Sequence, residues 1–101
     1  MRVIPKYFDL MGHTIEVAMM DDLWDNSECH GRWIAHKNRI ELQKPTEQNG
    51  MTFSFLLATF WHECAHAIAT HCGMPDLNND EEKIDLLGQG IAQILRTKRS
   101  K

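Results

Sequence analysis

Absences narrow the possibilities first. No run of about 20 apolar residues occurs in the chain, which argues against a membrane-spanning helix. The start, Met1-Arg2-Val3-Ile4-Pro5-Lys6, lacks the apolar core of a signal peptide. Cysteine is sparse and odd in number. Cys29, Cys64 and Cys72 show no paired spacing, so reduced thiols and a cytoplasmic setting are expected rather than a disulfide framework. Repeats, linker-like stretches and low-complexity segments are also missing. Nor is there an excess of positive charge: 11 Lys and Arg against 14 Asp and Glu leave a net −3, with no general attraction to nucleic acid or an anionic membrane. What remains is ordinary for a soluble globular protein, with 43% hydrophobic and 25% charged residues. At 101 residues, positions 1–101 form one small domain with little margin in its core.

Against this plain background one stretch carries chemistry: Trp61-His62-Glu63-Cys64-Ala65-His66-Ala67-Ile68, which contains His-Glu-x-x-His. Residues four apart on a helix sit one above the other, about 40° off alignment. His62 and His66 can thus aim two imidazoles at one metal ion. Glu63, one position round, reaches a water at the metal without ligating the metal itself. That is the division of labour in zinc-dependent peptide hydrolysis. Chance alone yields the motif in roughly one chain in forty of this His and Glu content, so context must decide. The preceding Phe53-Ser54-Phe55-Leu56-Leu57-Ala58-Thr59-Phe60-Trp61 is strongly apolar, which places the motif in a mostly buried helix. Burying His, Glu and His costs several kcal/mol unless something compensates, and a metal ion does so.

The rest of the chain reads as support. Residues 3–19 are extended in pattern, with Tyr7 to Met11 and Thr14 to Met19 as two strands turning at Gly12-His13. The acidic stretch Asp21 to Glu28 is a loop or one short helical turn. Gly31-Arg32-Trp33-Ile34 and Arg39-Ile40-Glu41-Leu42-Gln43 flank His36-Lys37-Asn38 as a second hairpin. A long helix is expected from about Thr52 to Cys72, stopped by Gly73 and Pro75. A second helix follows, with Asn79 as N-cap, Glu82 as capping-box partner, and Ile84, Leu87, Ile91, Ile94 and Leu95 as its buried stripe. The basic end, Arg96 to Lys101, reads as a frayed tail complementing the helix dipole.

Two histidines leave a zinc site incomplete. Running Ile84's stripe back one turn puts Glu81 on the buried face and turns Glu82 away, which favours Glu81 as third ligand, with Glu82 and Asp80 as alternatives. The short connection makes the two helices antiparallel, so Glu81 falls level with His66 and Asp85 level with His62. Asp85 could then accept the free ring N–H of His62. Cys72 competes as third ligand, because it stands where the metzincin pattern has its last His. That pattern needs a chain-turning glycine at the position of Ala69, which instead continues a helix. Cys72 and Cys64 therefore read as small buried hydrophobes.

His62-Glu63-x-x-His66 followed by Glu81-x-x-x-Asp85 resembles the gluzincin pattern. More of the chain is similar to small phage- and prophage-encoded zincin-like metallopeptidases related to the ImmA/IrrE family. The similar segments are Gly31-Arg32-Trp33-Ile34, Arg39-Ile40-Glu41-Leu42 and Glu81-x-x-Ile84-Asp85-x-Leu87-x-Gln89-Gly90. The resemblance implies an α+β zincin-like fold, with a small antiparallel sheet beside the long motif helix and an antiparallel C-terminal helix. It implies Zn²⁺ on His62, His66 and Glu81, Glu63 as catalytic base, and Asp85 behind His62. The partner is then a protein or peptide substrate, added to an edge of the 32–42 hairpin, in the host cytoplasm. Two departures are the short gap from His66 to Glu81 and the lack of an added DNA-binding or sensor domain.

A noncatalytic, zinc-stabilised interaction module is the alternative, since so small a chain leaves little room for a deep cleft. A carboxylate between the two histidines, and no Cys or His at suitable spacing to close a fourth position, weigh against it. An electrophile for the oxyanion is not singled out among His13, His30, His36, Tyr7 and Arg32. Nucleic-acid binding has the basic tail alone behind it.

Overall fold

A computed structural model describes residues 4–99. Val3 of the extended N-terminal reading, and positions 100–101 of the basic tail, lie outside the described residues. The elements are strands β1 (Tyr7–Leu10) and β2 (His13–Met20), helix α1 (Leu23–Ser27), strand β3 (Gly31–Ile34), a single 3₁₀ turn (Ala35–Lys37) and strand β4 (Arg39–Gln43). Helices α2 (Phe53–His71), α3 (Pro75–Asn78) and α4 (Glu81–Thr97) complete the α+β chain. No described helix is long and apolar enough to cross a membrane.

The sheet runs β1-β2-β4-β3 and is mixed, where a purely antiparallel sheet was expected. Both hairpins are antiparallel, but β2 and β4 pair in parallel, with Val17 opposite Ile40 and Met19 opposite Leu42. Burial explains why β4 takes the centre. Ile40 and Leu42 are fully buried on one face, and Glu41 and Gln43 are buried on the other. A strand covered on both faces belongs inside a sheet, which leaves β3 as a free edge. The first hairpin turns at Met11-Gly12, both with positive φ, in the two-residue geometry that matches strand twist.

One face of the sheet receives α2. Leu56, Phe60 and Cys64, each four residues apart, pack on Ile15, Val17, Ile40 and Leu42. Thr52 caps α2 by accepting the N–H of Phe55, and Gly73, with φ 68°, ends it. On the next face of α2, Ala65 and Ala69 meet Ile84 of α4. Small side chains there let the helices approach closely. At Gly88 a Cβ would lie 2.9 Å from both Cα and N of His62, so α4 rests directly on the α2 backbone.

Helix α4 departs from expectation in two ways. Its N-cap is Asp80, which accepts the N–H of Lys83, whereas Asn79 ends the additional helix α3. Its buried stripe is also narrower: Ile84 and Gly88 are buried, while Leu87 and Ile94 are 46% and 65% exposed. Cys72 likewise differs. It is exposed, with its thiol 3.6 Å from the Met11 sulfur, while Cys64 is buried.

Candidate metal centre

Helix α2 supplies His62 and His66, and the first turn of α4 supplies Glu81. Glu81 Oε1 lies 3.2 Å from His62 Nε2 and 3.3 Å from His66 Nε2. One ligand atom from each of the three falls within 4.8 Å of the others, and no second such group of His, Cys, Asp and Glu occurs among the described residues. Ligands about 2.0–2.1 Å from a tetrahedral zinc ion stand roughly 3.3 Å apart, so these spacings match the edges of its coordination polyhedron. The residues present fit the ion. Asp80, Glu82 and Cys72 do not join the group; Asp80 is occupied in capping α4.

Behind each imidazole stands an oxygen. Asp85 Oδ1 lies 3.2 Å from His62 Nδ1, and Asn78 Oδ1 lies 2.6 Å from His66 Nδ1. With both Nδ1 protons held there, both Nε2 lone pairs are left for the centre. These acceptors are themselves oriented. Asp85 Oδ2 accepts from Gln89 Nε2, while Asn78 Nδ2 donates to Thr70 Oγ1, which also accepts the indole N–H of Trp33. Asn78 was absent from the sequence reading. The stretch after Pro75 looked like a connection, and nothing in a lone Asn signalled that α3 would turn it back toward His66.

Glu63 is 6% exposed and faces β3. Gly31 makes that closeness possible: a Cβ there would come within 2.6 Å of Thr59 Cγ2 and 3.4 Å of Glu63 Cγ. Burial lifts the pKa of Glu63 above the ordinary carboxylate value, the imidazoles of His62 and His66 oppose the rise, and the charge of Glu81 adds to it. A carboxylate so placed holds a proton more readily than one in water.

His62, His66, Glu81 and Glu63 open into a recess of about 390 Å³ bordered by Gly31, Arg32 and Trp33 of β3. No family model, curated protein or solved structure matches this chain. The site's chemistry therefore rests on its geometry.

The five polar side chains that could meet an oxyanion do not gather at the recess. Tyr7 is 61% exposed on edge strand β1, His13 stacks on His71 at 4.0 Å, and His36 belongs to the 3₁₀ turn. Arg32 borders the recess, but its Nε–H is held by Glu41 at 2.7 Å. His30 stacks on Trp24 beside the neighbouring hollow.

Proposed function

We propose that the chain is a zinc-dependent peptide hydrolase of zincin type, similar in kind to small phage-encoded metallopeptidases. The observation that carries this reading is the convergence of His62, His66 and Glu81 with Glu63 buried alongside. When bound, zinc supplies Lewis acidity, which acidifies a water molecule and polarises a carbonyl oxygen. Glu63 takes the proton from the attacking water and delivers it to the leaving amine. Asp85 and Asn78 keep the two imidazoles in the ligating tautomer.

The free edge of β3 suits an extended substrate. Gln43 N–H donates to His30 C=O and Arg32 pairs with Glu41, so hydrogen bonding to β4 alternates along β3. The N–H and C=O of Gly31 and Trp33 then point away from β4, and both residues border the recess. A peptide added there would present its backbone to Glu63.

One observation favours the second reading, a noncatalytic zinc staple. Ile84 is the one large side chain that α4 buries completely among the described residues, so a metal bridging Glu81 to α2 would reinforce a close contact that encloses little apolar bulk. Glu63→Gln separates the two. The substitution is nearly isosteric but cannot take up a proton. About one zinc per chain is expected by elemental analysis, lost in His62→Ala and Glu81→Ala and retained in Glu82→Ala and Glu63→Gln. Peptidase activity should fall at least about 10²-fold in Glu63→Gln. Full biological effect in Glu63→Gln, in an assay that His62→Ala abolishes, would show that the metal is a staple.

A further inference from the structure

Helix α4 carries two glycines that face opposite ways. Gly88 is buried against the backbone of His62, where a Cβ would not fit. Gly90, about 160° round the helix, is exposed, and a Cβ there meets nothing within 4 Å. Its φ is not positive either. Glycine inside a helix costs stability relative to alanine, and nothing among the described residues calls for it at this position. Leu86 and Ile94, 62% and 65% exposed, stand one turn before and one turn after it, with the half-exposed Leu87 alongside. Gln93 joins the patch, and Lys83 and Thr97, both exposed, close its two ends. An apolar centre with a polar rim is the layout of a protein interface.

The patch is complementary to itself when reversed. Leu86 and Ile94 each lie four residues from Gly90. Two copies crossing antiparallel at Gly90 therefore lay Leu86 and Leu87 of each against Ile94 of the other. The same reversal brings the acidic start of α4, Asp80 and Glu82, beside the basic end of the second copy, Arg96, Lys98 and Arg99. Parallel pairing would set like charges together at both ends.

We propose that the outer face of α4 is the contact between two copies of this chain, paired as antiparallel helices that cross at Gly90. With no side chain between the two backbones there, the helices close on each other as α4 closes on α2 at Gly88. Glu81 and Asp85 lie about 180° and 140° round the helix from Gly90, so both metal centres stay open in the pair. The patch is small, which suits a weak dimer, half formed at about 10–100 µM.

Sedimentation equilibrium of the full chain, with zinc supplied, reads the association from about 1 µM to 1 mM. Leu86→Asp and Ile94→Asp should each weaken it at least about tenfold while leaving the fold intact, since both side chains are exposed within one chain. Gly90→Ala should weaken it about tenfold as well, although in dilute protein the same methyl group strengthens the helix. Cross-linking reads the direction. With Cys29 and Cys72 replaced by serine, chains carrying Leu87→Cys should form a disulfide with chains carrying Ile94→Cys. Neither should cross-link with its own kind, because the paired positions would stand about 9 and 12 Å apart along the helices, beyond the reach of a disulfide. A monomer throughout the range overturns the proposal, as does association undiminished by all three substitutions. Preferential cross-linking of Ile94→Cys with itself overturns the antiparallel pair. A monomer that sediments with anionic vesicles, and ceases to in Leu86→Asp, overturns it too and assigns the face to a lipid surface.

Discussion

Asn78 sits between His66 and Thr70, and Thr70 also accepts the indole N–H of Trp33, so one amide links His66 to β3. Asn78→Ala leaves the Nδ1–H of His66 without its acceptor. Zinc affinity, measured by chelator competition, should fall about 10- to 100-fold, and Asn78→Asp should restore most of it. A second residue-scale prediction concerns Glu41, 6% exposed and bonded to Arg32 and Arg39 at 2.7 and 2.9 Å. Burial alone would raise its pKa, but the hydrogen bonds and charges of the two arginines outweigh this and hold it below the ordinary 4.5. A carboxylate with a depressed folded pKa contributes stability that is present above its unfolded value and is lost as pH falls through the folded one. Acid unfolding should therefore steepen below about pH 4.5, and Glu41→Gln should flatten that limb. The cost at neutral pH should be roughly 1 kcal/mol, kept small by solvent around Arg32. Among site residues, the relation of His62, Glu63 and His66 was legible because helix geometry is local. Carrying the Ile84 stripe back one turn put Glu81 on the side that faces the two histidines, yet not on a buried face, since its side chain is 68% exposed. Asn78 was not legible, because its role depends on a four-residue helix that neither period nor cap announces.

At the scale of elements, the spacing of α2 and α4 decides whether Glu81 reaches the histidines. Gly88 fixes that spacing, since any side chain there would meet the backbone of His62. Gly88→Ala should drive the helices apart, destabilise the fold by about 1–3 kcal/mol and weaken zinc binding at least about tenfold. Gly90→Ala is the control: a Cβ there meets nothing within 4 Å, and replacing glycine within a helix should stabilise by about 0.5–1 kcal/mol. Thermal unfolding and zinc competition on both variants check this. Helices and strands were largely legible from period and capping, yet the sheet was not. Each hairpin shows its own turn, but nothing local says which strand of one hairpin will lie beside which strand of the other. Burial on both faces of β4 decides it, and the acidic and amide side chains Glu41 and Gln43 disguise that burial. Gln43 is consumed by the N–H of Trp24 and the carbonyls of Asp21 and Lys44, and the first two of these partners arrive only once α1 has folded back.

For the whole molecule, an ion bound by His62, His66 and Glu81 would tie α4 to α2, whose close contact encloses few large side chains. Zinc held at about a thousand times its dissociation constant would add about 4 kcal/mol. Removing it with a chelator should then lower Tm by at least about 10 °C in a chain of this size, and His62→Ala should show no further drop on chelation. The free edge of β3 carries a different consequence. Four residues span only about 13 Å, and the recess beside them is open rather than deep. A guest can be gripped there only where its own backbone is already extended and unpaired. A well-folded target offers such a stretch only in tails, loops or moments of local opening. If the chain cleaves peptides as proposed, the target's lifetime in its presence would be set by how often the target opens, and the target's own breathing would regulate its cleavage.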